Sequence, residues 1–124
     1  MSGIENALKD AMTIQGALGV ALVDVGSGMA LGTLGHAVDL DLTLAAAGST
    51  DVVRATTRTV ELQGRVGEAT EDILTTLTHQ YHLIRPLTNA GGQGLFLYLV
   101  LDRTRANLAM ARHHVRRIEG ELTV

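Results

Sequence analysis

The run Leu95-Phe96-Leu97-Tyr98-Leu99-Val100-Leu101 constrains this chain more than any other stretch. It is the longest unbroken apolar segment, with Gly94 before it and Asp102-Arg103 after it. A bilayer crossing needs roughly 20 apolar residues, so this run is too short to span one. Its length and its flanking turn signals suit a strand buried on both faces. Such a strand belongs in the middle of a sheet, with helices above and below.

A chain of 124 residues is long enough for one self-supporting core, and a single domain over 1–124 is expected. Its apolar residues are mostly Ala, Leu and Val; one Phe, two Tyr and no Trp offer no stacking platform for bases or sugars. With no cysteine there is no disulfide, thiolate zinc site or cysteine nucleophile, which fits a reducing compartment. The formal net charge of -3 disfavours nucleic acid as a partner. The opening residues Met1 to Asn6 carry no signal-peptide pattern, so a cytoplasmic protein without membrane insertion is expected.

Taken in order, Ser2-Gly3-Ile4-Glu5 reads as a capping box. The helix it opens places Ile4, Ala7, Leu8, Ala11 and Met12 on one face and ends between Thr13 and Gln15. Glu5 and Lys9 can pair on its outer side. Gly16 to Val25 is a second, mostly apolar strand, Gly26-Ser27-Gly28 a turn, and Met29 to Leu34 a weaker strand nearer an edge. A long helix starts at Asp39 or Asp41 and runs to Gln63, stopped by Gly64. Its apolar side takes in Leu42, Ala45, Ala46, Ser49, Val53, Thr56 and Val60. Gly48 inside it costs about 1 kcal/mol against Ala, explained either by close approach of another backbone or by tight packing on the sheet. Ile73 to Thr78 is a half-polar strand and Tyr81 to Leu87 the next; the glycine-rich loop Thr88 to Gly94 leads into the apolar run. The last helix, capped by Asp102 or Thr104, carries the stripe Leu108, Ala111, Val115, Ile118 and Leu122.

No sequence pattern points to catalysis. GxxxxGK[ST] is absent, and Gly91-Gly92-Gln93-Gly94 precedes a strand, without the helix N-terminus that holds phosphate. His79 and His82 flank a turn with no third ligand in a metal spacing, and the adjacent His113 and His114 point apart on a helix. Glu68, Glu71 and Asp72 read as a solvated approach to a strand. No metal, cofactor or catalytic residue is nominated. The face Arg112, His113, Arg116 and Arg117 is a solvated surface or a contact for an acidic protein partner.

The order helix, strand, strand, helix, strand, strand, strand, helix resembles the Roadblock family of the dynein light chain superfamily, from Ile4 to Leu122. Three stretches carry the resemblance: Gly19-Val20-Ala21-Leu22-Val23-Asp24 with the turn at Ser27-Gly28; Tyr81-His82-Leu83-Ile84-Arg85-Pro86-Leu87, the glycine-rich loop and the apolar run; and Ala106-Asn107-Leu108-Ala109-Met110-Ala111-Arg112. It implies an α/β chain of the α+β type. Its five-stranded antiparallel sheet would have order 2-1-5-4-3, with the first and last helices on one face and the long middle helix on the other. It further implies a two-fold homodimer in which the Thr-rich edge pairs with its counterpart and the middle helices lie side by side. The implied interface comprises Ala45, Ala46, Ser49, Val53 and Thr56 on the helix and Ile73, Thr75, Thr76 and Leu77 on the strand.

Members of this family are non-catalytic platforms for small Ras-like GTPases or motor-complex subunits, and prokaryotic members often act with a small GTPase. The resemblance therefore implies a dimeric adaptor or regulator in a signalling complex. A small-molecule sensor with a PAS-like or profilin-like sheet is the alternative. An enzyme using His79 and His82 is the third reading.

Overall fold

The computed structural model describes residues 3–35, 41–88, 92 and 94–123. Along the chain the elements are α1 (Ile4–Ala11), β1 (Ala17–Asp24), β2 (Ala30–Gly35), α2 (Leu42–Leu62), β3 (Ile73–Thr76), β4 (Gln80–Pro86), β5 (Leu95–Asp102) and α3 (Leu108–Glu121). All strand pairs are antiparallel, in the order β2-β1-β5-β4-β3. The architecture is α+β, as the resemblance implies. No helix among the described residues is long and apolar enough to cross a membrane.

The apolar run is the middle strand, buried from Phe96 to Leu101. Alternation along a strand divides its side chains between two cores. Leu97, Leu99 and Leu101 meet Leu8 and Ala11 of α1 and Ala111, Val115 and Ile118 of α3. Phe96, Tyr98 and Val100 meet Ala46 and Val53 of α2. Each large apolar side chain so buried contributes about 1.5–3 kcal/mol before entropy is counted. β1 is the other strand buried through its centre, while β2 is mostly exposed at one edge.

Several ends differ from the sequence expectation. Ser2 and Asp39 lie outside the described residues; the N-cap of α1 is Gly3, with no side-chain hydrogen bond. α1 stops at Ala11 because i→i+3 bonds tighten the chain there and turn Ile14 into the core, with the Thr13 hydroxyl donating to the Asp10 carbonyl (2.6 Å). The Glu5–Lys9 pair forms at 3.1 Å. Asp41 caps α2 by accepting from the Leu44 N–H, and Gly64 follows the helix end with φ +68. β3 is shorter than expected, because the Leu77 N–H already donates to the Gln80 carbonyl (2.8 Å) across a tight turn. Asn107, not Asp102 or Thr104, caps α3. The Asp102 carboxylate instead accepts from the N–H and hydroxyl of Thr104, closing a local turn.

Gly16 marks the junction between the chain's two ends. Its φ is +86, and a Cβ there would lie 3.0 Å from the Ala106 backbone nitrogen. The Asp102 N–H donates to the Gly16 carbonyl at 2.7 Å. The turn after α1 and the turn before α3 thus cross in contact, where only a glycine fits.

Candidate interaction site

α2 packs mainly over β1 and β2, with less contact on β4. A concavity of about 280 Å³ remains between the helix and the β3 side of the sheet, lined by Ala45, Gly48, Ser49, Val52, Thr75, His82, Ile84 and Tyr98. The four helical residues recur at i, i+3, i+4 and i+7, so one side of α2 forms its wall. Residues 75, 82, 84 and 98 form its floor because β3–β4 and β4–β5 pairing sets Thr75 opposite His82 and Ile84 opposite Tyr98.

The polar groups of the floor are joined to one another. Tyr98 Oη lies 3.1 Å from His82 Nδ1, and His82 Nε2 lies 2.9 Å from Gln80 Oε1. The two rings meet edge to face, with centroids 5.4 Å apart. Ser49 lines the same concavity as Tyr98. Burial pushes the His82 pKa below the usual imidazole value and the Tyr98 pKa above the usual phenol value.

The expected interface residues fall into two groups. Ala46 and Val53 are buried against the chain's own sheet, so their side chains have no surface to give a partner. The physical reason is the rotation of α2, which aims these two positions at the α2-side core. Ser49, also buried, lies at the concavity wall, as does Ala45. Thr56 and Ile73 are half-buried, while Thr75, Thr76 and Leu77 are exposed. Gly48 is exposed, and a Cβ on it would meet nothing within 4 Å, which removes packing on the sheet as its explanation.

Among the described residues β3 pairs only with β4. The Leu77 N–H points inward to the Gln80 carbonyl, so Thr75 and Ile73, two and four residues away, also face β4. Leu74 and Thr76 therefore direct their N–H groups to the open edge.

On α3 the cationic group is less uniform than its sequence. Arg112 is paired with Asp72, Nε to Oδ2 at 3.1 Å and Nη2 to Oδ1 at 3.3 Å, so this cation is already engaged. His113, Arg116 and Arg117 are exposed. His114 turns inward to Asp10, 2.8 Å from Nε2 to Oδ1. His79 is exposed at the β3–β4 turn and apart from the His82 relay. No three His, Cys, Asp or Glu among the described residues are grouped to hold a metal ion.

Sequence reasoning missed Glu119, which is 6% exposed. Its carboxylate accepts from Arg85 Nε (2.8 Å) and from the Thr88 N–H (2.7 Å), tying α3 to β4 and to the start of the following loop. The available signal was its position four residues after Val115, inside the apolar stripe.

No protein-family model matches the sequence, and no curated protein matches it. Solved structures do match. A structure described as MglB with tetrameric arrangement is 18% identical, with TM-score 0.78 over 94% of this chain and 82% of that one. A Roadblock/LC7 domain from Streptomyces avermitilis is 12% identical, with TM-score 0.77 over 97% and 94%. Myxococcus xanthus MglB is 20% identical, with TM-score 0.73 over 94% and 85%. With the observed sheet order and helix placement, these likenesses establish that the chain carries the Roadblock/LC7 fold.

Proposed function

We propose that this single-domain chain is a non-catalytic, homodimeric adaptor that holds or regulates a small Ras-like GTPase in a cytoplasmic signalling complex. The observation that carries the dimer is the β3 edge. It offers the outward N–H groups of Leu74 and Thr76 beside an open concavity and an exposed helical glycine. Pairing two β3 strands across a two-fold axis satisfies those donors and removes an exposed edge. The same arrangement brings the Gly48 side of one α2 toward its counterpart, which gives the glycine a use. Self-association is also in the description of one structural neighbour, the tetrameric MglB arrangement.

The GTPase partner rests on the family resemblance and on the fold shared with MglB and with MglC from Myxococcus xanthus. His113, Arg116 and Arg117 on α3 form the partner face in this reading, with Arg112 held back by Asp72. The sensor reading has one favourable feature, the convergence of Ser49, His82 and Tyr98 on the concavity. It ranks second because the His82 ring nitrogens and the Tyr98 hydroxyl already have partners inside the chain.

Sedimentation equilibrium at micromolar concentration tests the dimer. The wild-type chain should have twice the monomer mass. Thr76→Pro removes an outward donor and should give a folded monomer, since proline is tolerated at an unpaired strand edge. A monomeric wild type overturns the dimer, and an unchanged dimer mass in Thr76→Pro places the interface elsewhere. Failure to bind a purified small GTPase encoded nearby removes the partner while leaving the dimer standing.

A further inference from the structure

We infer that self-association over the α2–β3 concavity is proton-linked through His82: the neutral ring completes a directed hydrogen-bond relay, and protonation of that ring opposes the dimer. The inference rests on the homodimer proposed above and adds a regulatory property to it.

The relay has one consistent direction. Gln80 Oε1 is only an acceptor, so His82 Nε2 carries the proton that fills the 2.9 Å contact. In a neutral ring Nδ1 is then bare, and it accepts from the Tyr98 hydroxyl at 3.1 Å. The relay therefore runs from Tyr98 on β5 through His82 to Gln80 on β4. A second proton on the ring must sit on Nδ1, facing an oxygen that is already donating toward it. Tyr98 would have to swing its hydrogen away.

The surroundings offer a cation no compensation. Besides Tyr98 and Ser49, the concavity is lined by Ala45, Gly48, Val52, Thr75 and Ile84, none charged. The cross-strand neighbours of His82 are Thr75 on β3 and Val100 on β5. On α2, Asp51 is exposed, and Arg54 is bound to the carbonyls of Val25 and Gly26. Asp72 before β3 pairs with Arg112 of α3, and His79 lies in the exposed turn. In the free chain His82 is half-buried, and that burial already holds its pKa below the usual imidazole value. A second chain laid over the concavity removes more water and lowers it further.

The sign follows from linkage. Above the free-chain pKa of His82 both states are neutral and affinity is constant. As pH falls below it, the free chain binds a proton that the dimer excludes, so affinity drops. Each protomer contributes one such group. The limiting loss is about tenfold per pH unit per protomer, continuing until the lower pKa of the dimer is reached.

Sedimentation equilibrium of the full chain between about pH 8 and about pH 5 tests this, with far-UV circular dichroism confirming that the fold persists. The wild type should be dimeric at the upper end and dissociate toward the lower. His82→Gln keeps a donor and an acceptor without a titrating group, and its dimer affinity should be flat across the range. Tyr98→Phe removes the donor that favours the bare Nδ1, so its dissociation midpoint should move to higher pH. If either variant fails to fold, NMR titration of the wild-type ring at two protein concentrations decides instead; a midpoint lower in the dimer supports the linkage, and an equal one overturns it. A wild-type dimer of unchanged affinity, or His82→Gln with wild-type pH dependence, overturns the linkage but not the dimer. A monomer at every pH removes both.

Discussion

The two faces of the sheet are built on different terms. The face under α1 and α3 is closed: two helices cover it, and Arg85–Glu119 and Arg112–Asp72 fasten α3 to the strand side. The face under α2 has one helix, set toward β1 and β2, and leaves a concavity beside β3. Apolar residues on α2 are also left outside, with Leu44 71% and Leu62 78% exposed. The closed face uses its polar side chains to finish a core. The open face carries polar side chains, Gln80, His82 and Tyr98, that bond to each other. The contrast teaches that closure, more than composition, separates the two halves of this sheet.

The largest expected effect tests the closed face. Glu119→Ala leaves Arg85, only 13% exposed at its side chain, as an uncompensated cation. Urea denaturation should show a loss of about 3–5 kcal/mol, with no change in oligomeric mass. An intermediate effect belongs to the open face. Gly48→Ala should stabilise the isolated chain by about 0.5–1 kcal/mol, measured by denaturation at concentrations below dimerisation. The same methyl group should weaken dimerisation about tenfold or more by sedimentation, because it occupies the line of helix approach. If both quantities move in the same direction, the open face is not an interface. The smallest effect is again on the closed face. Arg112 and Asp72 are partly solvated, so Arg112→Ala should cost about 1 kcal/mol or less. A cost equal to that of Glu119→Ala would erase the distinction between the buried and the partly exposed fastening.

How much of this was legible depended on whether the cause was local. Leu95 to Leu101 announced a central strand because every position on both faces must be apolar there. Gly64 announced a helix end because a left-handed backbone follows it. The rotation of α2 was less legible. Spacing shows a stripe of small residues, but only the placement of the helix over β1 and β2 decides that Ala46 faces the sheet and Ala45 the concavity. Asp102 and Asn107 are both competent caps; the turn through Thr104 engages the first and leaves the helix to the second. The His82–Tyr98 contact was out of reach, because it depends on the β4–β5 register, and pairing register is not written in either strand alone. The sheet order itself came from the family resemblance.

The pairing of β1 with β5 has a consequence for how the chain reaches this state. β1 and β2 are joined by a short turn and can form a hairpin as soon as both exist. The inner edge of β1 must wait for β5, which comes from the other end of the chain. Its apolar residues Val20 to Val23 are therefore unsatisfied on one side through most of synthesis. Closing that distance costs loop entropy before any contact repays it, so a topology this non-local should fold more slowly than a helical bundle of the same size. The Gly16–Ala106 crossing belongs to that closure, because it too joins the two ends of the chain. Strain introduced there should lengthen the time the nascent β1 edge stays open to a wrong partner.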